Sequence, residues 1–218
     1  MDLPRSFTIR ESSHRIHNPF TDEKLAALGR AVRPALGTAV LDLACGSGEL
    51  LCTWARAHGV TGTGVDISTV FLARARARAA ELGVTDRVRF VHGDASGYVA
   101  DSLAGIACCV GATWIGGGVA GTVALLRRSL TPGGMMLIGE PYWRRDPPDQ
   151  ATVEGCDATS RDEWLPLPEL VESFGRLGCD VVEMMLAAMR AELSTAPARH
   201  VRYQREYLGW GVFVLMDR

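Results

Sequence analysis

The chain has no apolar run of the roughly 18–20 residues that a bilayer-spanning helix needs. Its first residues, Met1 to Arg10, hold no apolar core of the kind a secretory signal carries. A cytoplasmic protein with no membrane partner is expected. Charge of one sign is also lacking: the formal net charge is −2 over 218 residues. Such a chain projects no broad cationic field, so nucleic acid is not an expected partner. The six cysteines (Cys45, Cys52, Cys108, Cys109, Cys156 and Cys179) are scattered, and no CxxC pair occurs among them. That spacing gives no support to a zinc site and speaks against a disulfide scaffold in a chain of this size. They are read as small buried residues kept reduced, and no metal is expected. There is no internal repeat, no low-complexity tract and no second domain boundary. One domain over residues 1–218 is expected, with 1–36 as an N-terminal helical cap over the site.

What is present is a globular composition, 47% hydrophobic and 22% charged, which is too apolar for a disordered chain. Apolar residues recur at helical spacing from Thr21 to Val32, with Thr21 as N-cap. A strand follows at Ala39 to Leu43, then a helix from Glu49 to His58 stopped by Gly59. A second strand runs from Thr61 to Ile67, and Ser68 caps a helix to Leu82 that Gly83 closes. Strands are predicted at Arg87 to His92, Leu103 to Val110 and Met135 to Gly139, with a helix from Val119 to Ser129 before the last of them. Pro141 to Pro168 reads as a long surface loop, and loops of that length are often functional. Glu169 to Leu177 is a helix, and Cys179 to Leu186 and Leu208 to Met216 are two more strands. Ala187 to Tyr207 is a helix or a loop. Strands alternating with helices predict a parallel α/β sheet with helices on both faces.

Three motifs fall at the ends of successive strands. The first is Val40-Leu41-Asp42-Leu43-Ala44-Cys45-Gly46-Ser47-Gly48, a buried strand, a glycine turn and a helix start. Without Cβ atoms at Gly46 and Gly48, a ligand can lie against the backbone, and the free N–H groups of the helix start favour an anionic group. An ordinary tight turn is the alternative. The second is Gly64-Val65-Asp66-Ile67-Ser68, which ends the next strand in an acid about twenty residues after the turn, where a carboxylate accepts from ribose hydroxyls. Asp66 could instead cap a helix, but Ser68 is the better cap candidate. The third is Gly93-Asp94-Ala95, where Asp94 can accept from an adenine amino group and a neighbouring N–H can reach a ring nitrogen. All three point to the carboxyl edge of the sheet, where such ligands sit.

This constellation resembles the class I S-adenosylmethionine (SAM)-dependent methyltransferases, over nearly the whole chain from Ser6 to Arg218. Leu130 to Ile138 looks like their LxPGG approach to strand five, and Gly209 to Phe213 like their last, antiparallel strand. Longer strings, His14 to Phe20, Cys109 to Ile115 and Gly139 to Trp143, are most similar to the bacterial YjhP-type set in the ubiquinone/menaquinone-methyltransferase-like group. The resemblance implies a Rossmann-like, seven-stranded sheet of order 3-2-1-4-5-7-6 with strand 7 antiparallel. It implies SAM as cofactor and S-adenosylhomocysteine (SAH) as product. Carried over, Ala44, Cys45, Gly46 and Gly48 hold the methionine part, with Asp42 from the same motif. Asp66 and Ile67 meet the ribose, and Asp94 and Ala95 the adenine. Val110, Gly111 and Trp114 close the pocket. Two departures stand out: Ala44 replaces the usual first glycine of the turn, and the stretch between Leu186 and Tyr207 is short, so the site is more open or a segment is lacking.

A nicotinamide dehydrogenase needs a third glycine where this chain has Leu51. A non-catalytic SAM-binding or partner-binding protein is the other alternative. No Asn-Pro-Pro-Tyr or Asp-Pro-Pro-Tyr string follows strand four, which leaves methyl transfer to an oxygen, nitrogen or sulfur of a small metabolite as the expected reaction. His17, Glu140 and Tyr142 are the candidate catalytic residues. His17 titrates near neutral pH in its unperturbed state, and Glu140 is a candidate base or cation partner at the mouth of strand five. His14, Trp114 and Trp143 are further candidates on the substrate side. Arg74, Arg76 and Arg78 alternate along one helix and are read as solvated.

Overall fold

The computed structural model describes residues 14–188 and 197–218. Residues 1–13 of the expected cap, and 189–196 of the stretch before Tyr207, lie outside them. The first helix, α1 (Asp22–Val32), starts where the Thr21 hydroxyl accepts from the Lys24 N–H, with Asp22 and Glu23 in the first turn complementing the helix dipole. There follow β1 (Ala39–Leu43), α2 (Glu49–His58), β2 (Thr61–Asp66), α3 (Thr69–Glu81), β3 (Val88–His92) and β4 (Ala104–Val110). After β4 comes a 3₁₀ turn, Thr113–Gly116, then α4 (Val119–Arg127) and β5 (Leu130–Trp143). The remainder is α5 (Gln150–Gly155), α6 (Leu167–Arg176), β6 (Cys179–Ala188), a short helical stretch over 197–207, and β7 (Leu208–Asp217).

The seven strands form one sheet in the order β3-β2-β1-β4-β5-β7-β6. β1 lies between β2 and β4, parallel to both, and β7 is antiparallel to β5 and β6. This is the Rossmann-like methyltransferase topology. Side chains alternate across each strand, so adjacent residues serve opposite faces. Cys108 joins the layer under α1, α2 and α3, built on Leu28, Leu51 and Trp54, while Cys109 joins the layer under α4 and α6, built on Val123, Leu126, Leu170 and Phe174. All six cysteines are free, and Cys45 alone is not buried. No helix of the described residues is long and apolar enough to cross a membrane.

Three expectations are corrected. The stretch 141–168 is not one loop. β5 continues through Trp143 because β7 runs beside it, pairing Pro141 with Trp210 and Trp143 with Leu208. Pro141 is tolerated there because it lies past Gly139, the last β5 residue paired with β4, in a part of β5 where one neighbour has ended. α5 then interrupts the rest of the stretch, with Asp149 accepting from the Thr152 N–H as its cap. Arg78 is not solvated: its guanidinium makes paired bonds of 2.9 and 2.8 Å to Glu49, at the first turn of α2. Finally, β6 reaches Ala188, two residues further than expected.

Candidate cofactor site

β1 delivers Ala44 to the carboxyl edge of the sheet, where the chain reverses through three left-handed residues, Ala44, Gly46 and Gly48. The turn is pinned from outside. Cys45 N–H donates to the Val65 carbonyl at 3.1 Å, and Gly46 N–H donates to Asp66 Oδ2 at 2.8 Å. Asp66 Oδ1 accepts from the Ser68 N–H, also at 2.8 Å, while Ser68 itself caps α3 through the Phe71 N–H. Asp66 thus ties the glycine turn to the start of α3. Gly48 serves another purpose. A Cβ there would lie 2.7 Å from the Phe90 ring and 2.9 Å from Ala75, so the missing side chain allows close packing behind the turn, and Gly48 lines neither of the two cavities described below.

Above the turn lies a cavity of about 400 Å³, within the range of small-molecule sites. Ala44, Gly46, Asp66, Ile67, Asp94, Ala95, Val110, Gly111 and Trp114 all line it, together with His17. Residues from the ends of β1, β2, β3 and β4 therefore converge as the motifs implied. Asp94 accepts from the Ser96 N–H at 2.9 Å, and that bond holds its carboxyl below the usual range. Asp42 and Cys45 line a smaller chamber of about 70 Å³, which shares His17, Ala44, Gly46 and Val110 with the larger cavity. Burial, and then the charge of Asp66, push the Asp42 carboxyl up to about 8.

His17 stands where the two spaces meet. Its Nε2 lies 3.0 Å from Ser47 Oγ, and its ring is 4.3 Å from that of Phe71. Burial lowers its pKa to about 4, with a backbone hydrogen bond to His14 opposing the shift and the charges of Arg74 and His14 adding to it. The imidazole is therefore neutral at physiological pH.

The other candidates lie elsewhere. Tyr142 is buried in the α6-side core among residues such as Leu170 and Phe174, and its ring packs on Gly209. It does not line the cavity, because its place on β5 turns it to the face that α6 covers. Trp143 belongs to a separate cluster, donating from Nε1 to the Arg161 carbonyl and packing at 5.1 Å, in a tilted arrangement, against Trp164. His14 is exposed. Glu140 is buried and does not line the cavity either; its Oε2 accepts from the Thr113 hydroxyl at 2.6 Å. Burial pushes its carboxyl up to about 7, the Thr113 bond lowers it and the charge of Glu163 raises it.

Several wall residues were not among the expected ones: Phe71, Ser96, Ala112 and Ile115 complete the large cavity, and Asn18, Glu49 and Leu50 are among those that line the small one. Phe71 had a usable signal, since it stands three residues after the cap Ser68, in the helix turn that faces the strand end.

Residues 40–134 match the family described as methyltransferase domain. The chain is 52% identical to YjhP of Escherichia coli, described as uncharacterized, in an alignment of 248 positions that takes in all of both chains. The crystal structure of a SAM-dependent methyltransferase from Geobacter sulfurreducens in complex with SAH is 57% identical, with a TM-score of 0.96, covering 100% of this chain and 99% of that one. The corresponding complex from Thiobacillus denitrificans is 51% identical, with a TM-score of 0.95 and full coverage of both chains. The chain belongs to the SAM-dependent methyltransferases.

The residues of this methyltransferase fit the cofactor. Gly46 lines the cavity and, lacking a Cβ, lets the His17 ring close to it, since a Cβ there would lie 2.7 Å from His17 Nδ1; the cavity wall also carries Asp66 and Asp94, two acceptors for hydroxyl and amino donors. SAM supplies a methyl group on a cationic sulfur. Around it this chain would supply shape and placement: the turn held by Asp66, the Phe71 and Ile115 walls, and the neutral His17 beside Gly46.

Proposed function

We propose that the methyl group passes to an oxygen, nitrogen or sulfur atom of a small molecule, with His17 on the acceptor side of the cofactor. The observation that carries this reading is the position of the neutral His17 ring between the two spaces, in contact with Ser47 and Phe71. The backbone bond to His14 engages one ring nitrogen as a donor, which leaves Nε2 to accept from the Ser47 hydroxyl. That nitrogen can then receive a proton, directly or through Ser47, when the acceptor atom must lose one. Positioning supplies the remainder of the rate. The balanced charge of the chain favours a small molecule over nucleic acid. Residues 14–36, the described part of the expected cap, lie at the site through His17 and Asn18, and the free cysteines fit a reducing cytoplasm.

Calorimetric titration with SAM and SAH, followed by an SAH-release screen over metabolite classes, tests the proposal. Turnover of one class by the wild-type enzyme, lowered about 10²–10⁴-fold in His17→Gln at nearly unchanged SAH affinity, is the expected result. Turnover confined to protein or nucleic-acid acceptors would overturn the small-molecule reading. Full activity in His17→Gln would remove His17 from the chemistry.

A further inference from the structure

Glu140 is a buried carboxylate that no wall of the cofactor cavity uses, yet it bonds to the residue that opens one of those walls. Thr113 begins the 3₁₀ turn Thr113–Gly116, and the next two residues, Trp114 and Ile115, line the large cavity. Trp114 is 68% exposed, so its position follows from the turn that carries it more than from packing of its own ring.

The turn is gripped at Thr113 from two sides. Its hydroxyl donates to Glu140 Oε2 at 2.6 Å, and its carbonyl accepts from the Thr122 hydroxyl of α4 at 2.9 Å. The first distance is at the short end of the range for hydroxyl bonds. On the α4 side there is no slack. A Cβ on Gly121 would sit 1.9 Å from the Gly116 carbonyl oxygen, and one on Gly116 would sit 2.3 Å from the Thr122 nitrogen. The turn is thus pressed onto α4 backbone to backbone, and Glu140 holds it from the sheet. β5 sets the height of this hold: Gly139 is the last residue paired with β4, opposite Val110, and Glu140 is the next.

We propose that Glu140 is a positioning residue: through Thr113 it fixes the Trp114–Ile115 wall against which the adenosine end of the cofactor rests. A general base must lie within hydrogen-bond reach of the proton it takes. Glu140 instead faces Thr113, behind the wall.

The test compares Glu140→Gln, Glu140→Ala, Thr113→Val and Thr113→Ser in the full chain. SAH and adenosine serve as calorimetric probes, and thermal unfolding is measured in parallel. Gln keeps an acceptor oxygen and Ser keeps the hydroxyl, so both are expected within about threefold of wild type for both probes. Ala at 140 and Val at 113 are expected to weaken SAH and adenosine by the same factor, about tenfold or more, because the wall meets the part the two probes share. The pair Glu140→Ala with Thr113→Val is expected to be no worse than the stronger single variant. If Glu140→Ala does not fold, the Thr113→Val and Thr113→Ser comparison decides alone. Unchanged affinity in folded Thr113→Val would overturn the proposal. So would Glu140→Gln losing turnover at unchanged SAH affinity, which would return Glu140 to the chemistry.

Discussion

The carboxylate of Asp66 binds the backbone N–H of Gly46 at 2.8 Å across twenty residues of sequence, so one side chain both lines the cofactor cavity and holds the glycine turn in place. Its other oxygen accepts from the Ser68 N–H. Asp66→Ala therefore removes an acceptor for the cofactor and orphans two backbone donors. SAH affinity is expected to fall by about a hundredfold, the worth of one or two charged hydrogen bonds, with a loss of about 1–3 kcal/mol in stability. Calorimetry and urea unfolding on the same preparation check both parts. A loss of stability without a loss of affinity would leave Asp66 with the turn alone.

Ala44 sits at φ 58°, in the left-handed region, where a Cβ costs about 1–2 kcal/mol that glycine does not incur. It stands at the head of the turn, where the family resemblance implies glycine. Ala44→Gly is expected to recover up to about 1 kcal/mol after the greater entropy of the unfolded glycine is subtracted, raising the melting midpoint by about 2–4 °C. Differential scanning calorimetry measures it. A lowered midpoint would mean that the methyl group makes packing contacts worth more than the strain.

Glu49 and Arg78 form a bidentate pair with side chains 5% and 15% exposed, joining α2 to α3 just behind the turn. Breaking such a pair on one side leaves an uncompensated charge. Arg78→Ala is expected to cost about 3–5 kcal/mol, while Glu49→Gln with Arg78→Met in the same chain costs much less. Thermal unfolding of the single and double variants gives the comparison. Equal losses would show that shape, not charge, is what the pair contributes.

His17 and Glu140 pull the pH dependence of stability in opposite directions. The folded-state pKa of His17 is about 4, below its ordinary 6.5, so between those values the unfolded chain binds a proton that the folded chain does not. Stability from this group therefore rises with pH across that window. The Glu140 carboxyl, at about 7 against an ordinary 4.5, keeps its proton longer in the folded state, and its contribution falls as pH rises from 4.5 to 7. Urea midpoints between pH 4 and 8 (a range set by these two windows) are expected to rise less steeply in His17→Gln and more steeply in Glu140→Gln. Matching slopes in all three proteins would show that neither group is shifted.

The sheet was legible because its strands are short apolar runs closed by glycine, proline or an acid, and their order follows from the family resemblance. The wall of the large cavity was legible for a related reason: Gly46, Asp66 and Asp94 stand at strand ends, so position along the chain implies position in space. The surroundings of Glu140 and Tyr142 were not. Glu140 and Tyr142 are two residues apart on β5 and share the α4- and α6-facing side, a fact hidden while that stretch looked like a loop. The length of β5 depends on β7, some seventy residues later, and local patterning carries no trace of such a partner. Arg78 was misjudged for the same reason, since the carboxylate that buries it belongs to another helix.

β7, the last of the seven strands to be synthesised, lies between β5 and β6 and pairs along its length with both. Until residues 208–217 have left the ribosome, β5 and β6 each present an open edge to the cell. Strands β1 to β4 are made long before and can pair with one another as they appear. Maturation is thus split along the sheet, and the half beyond β4 is exposed to mispairing until β7 has joined it.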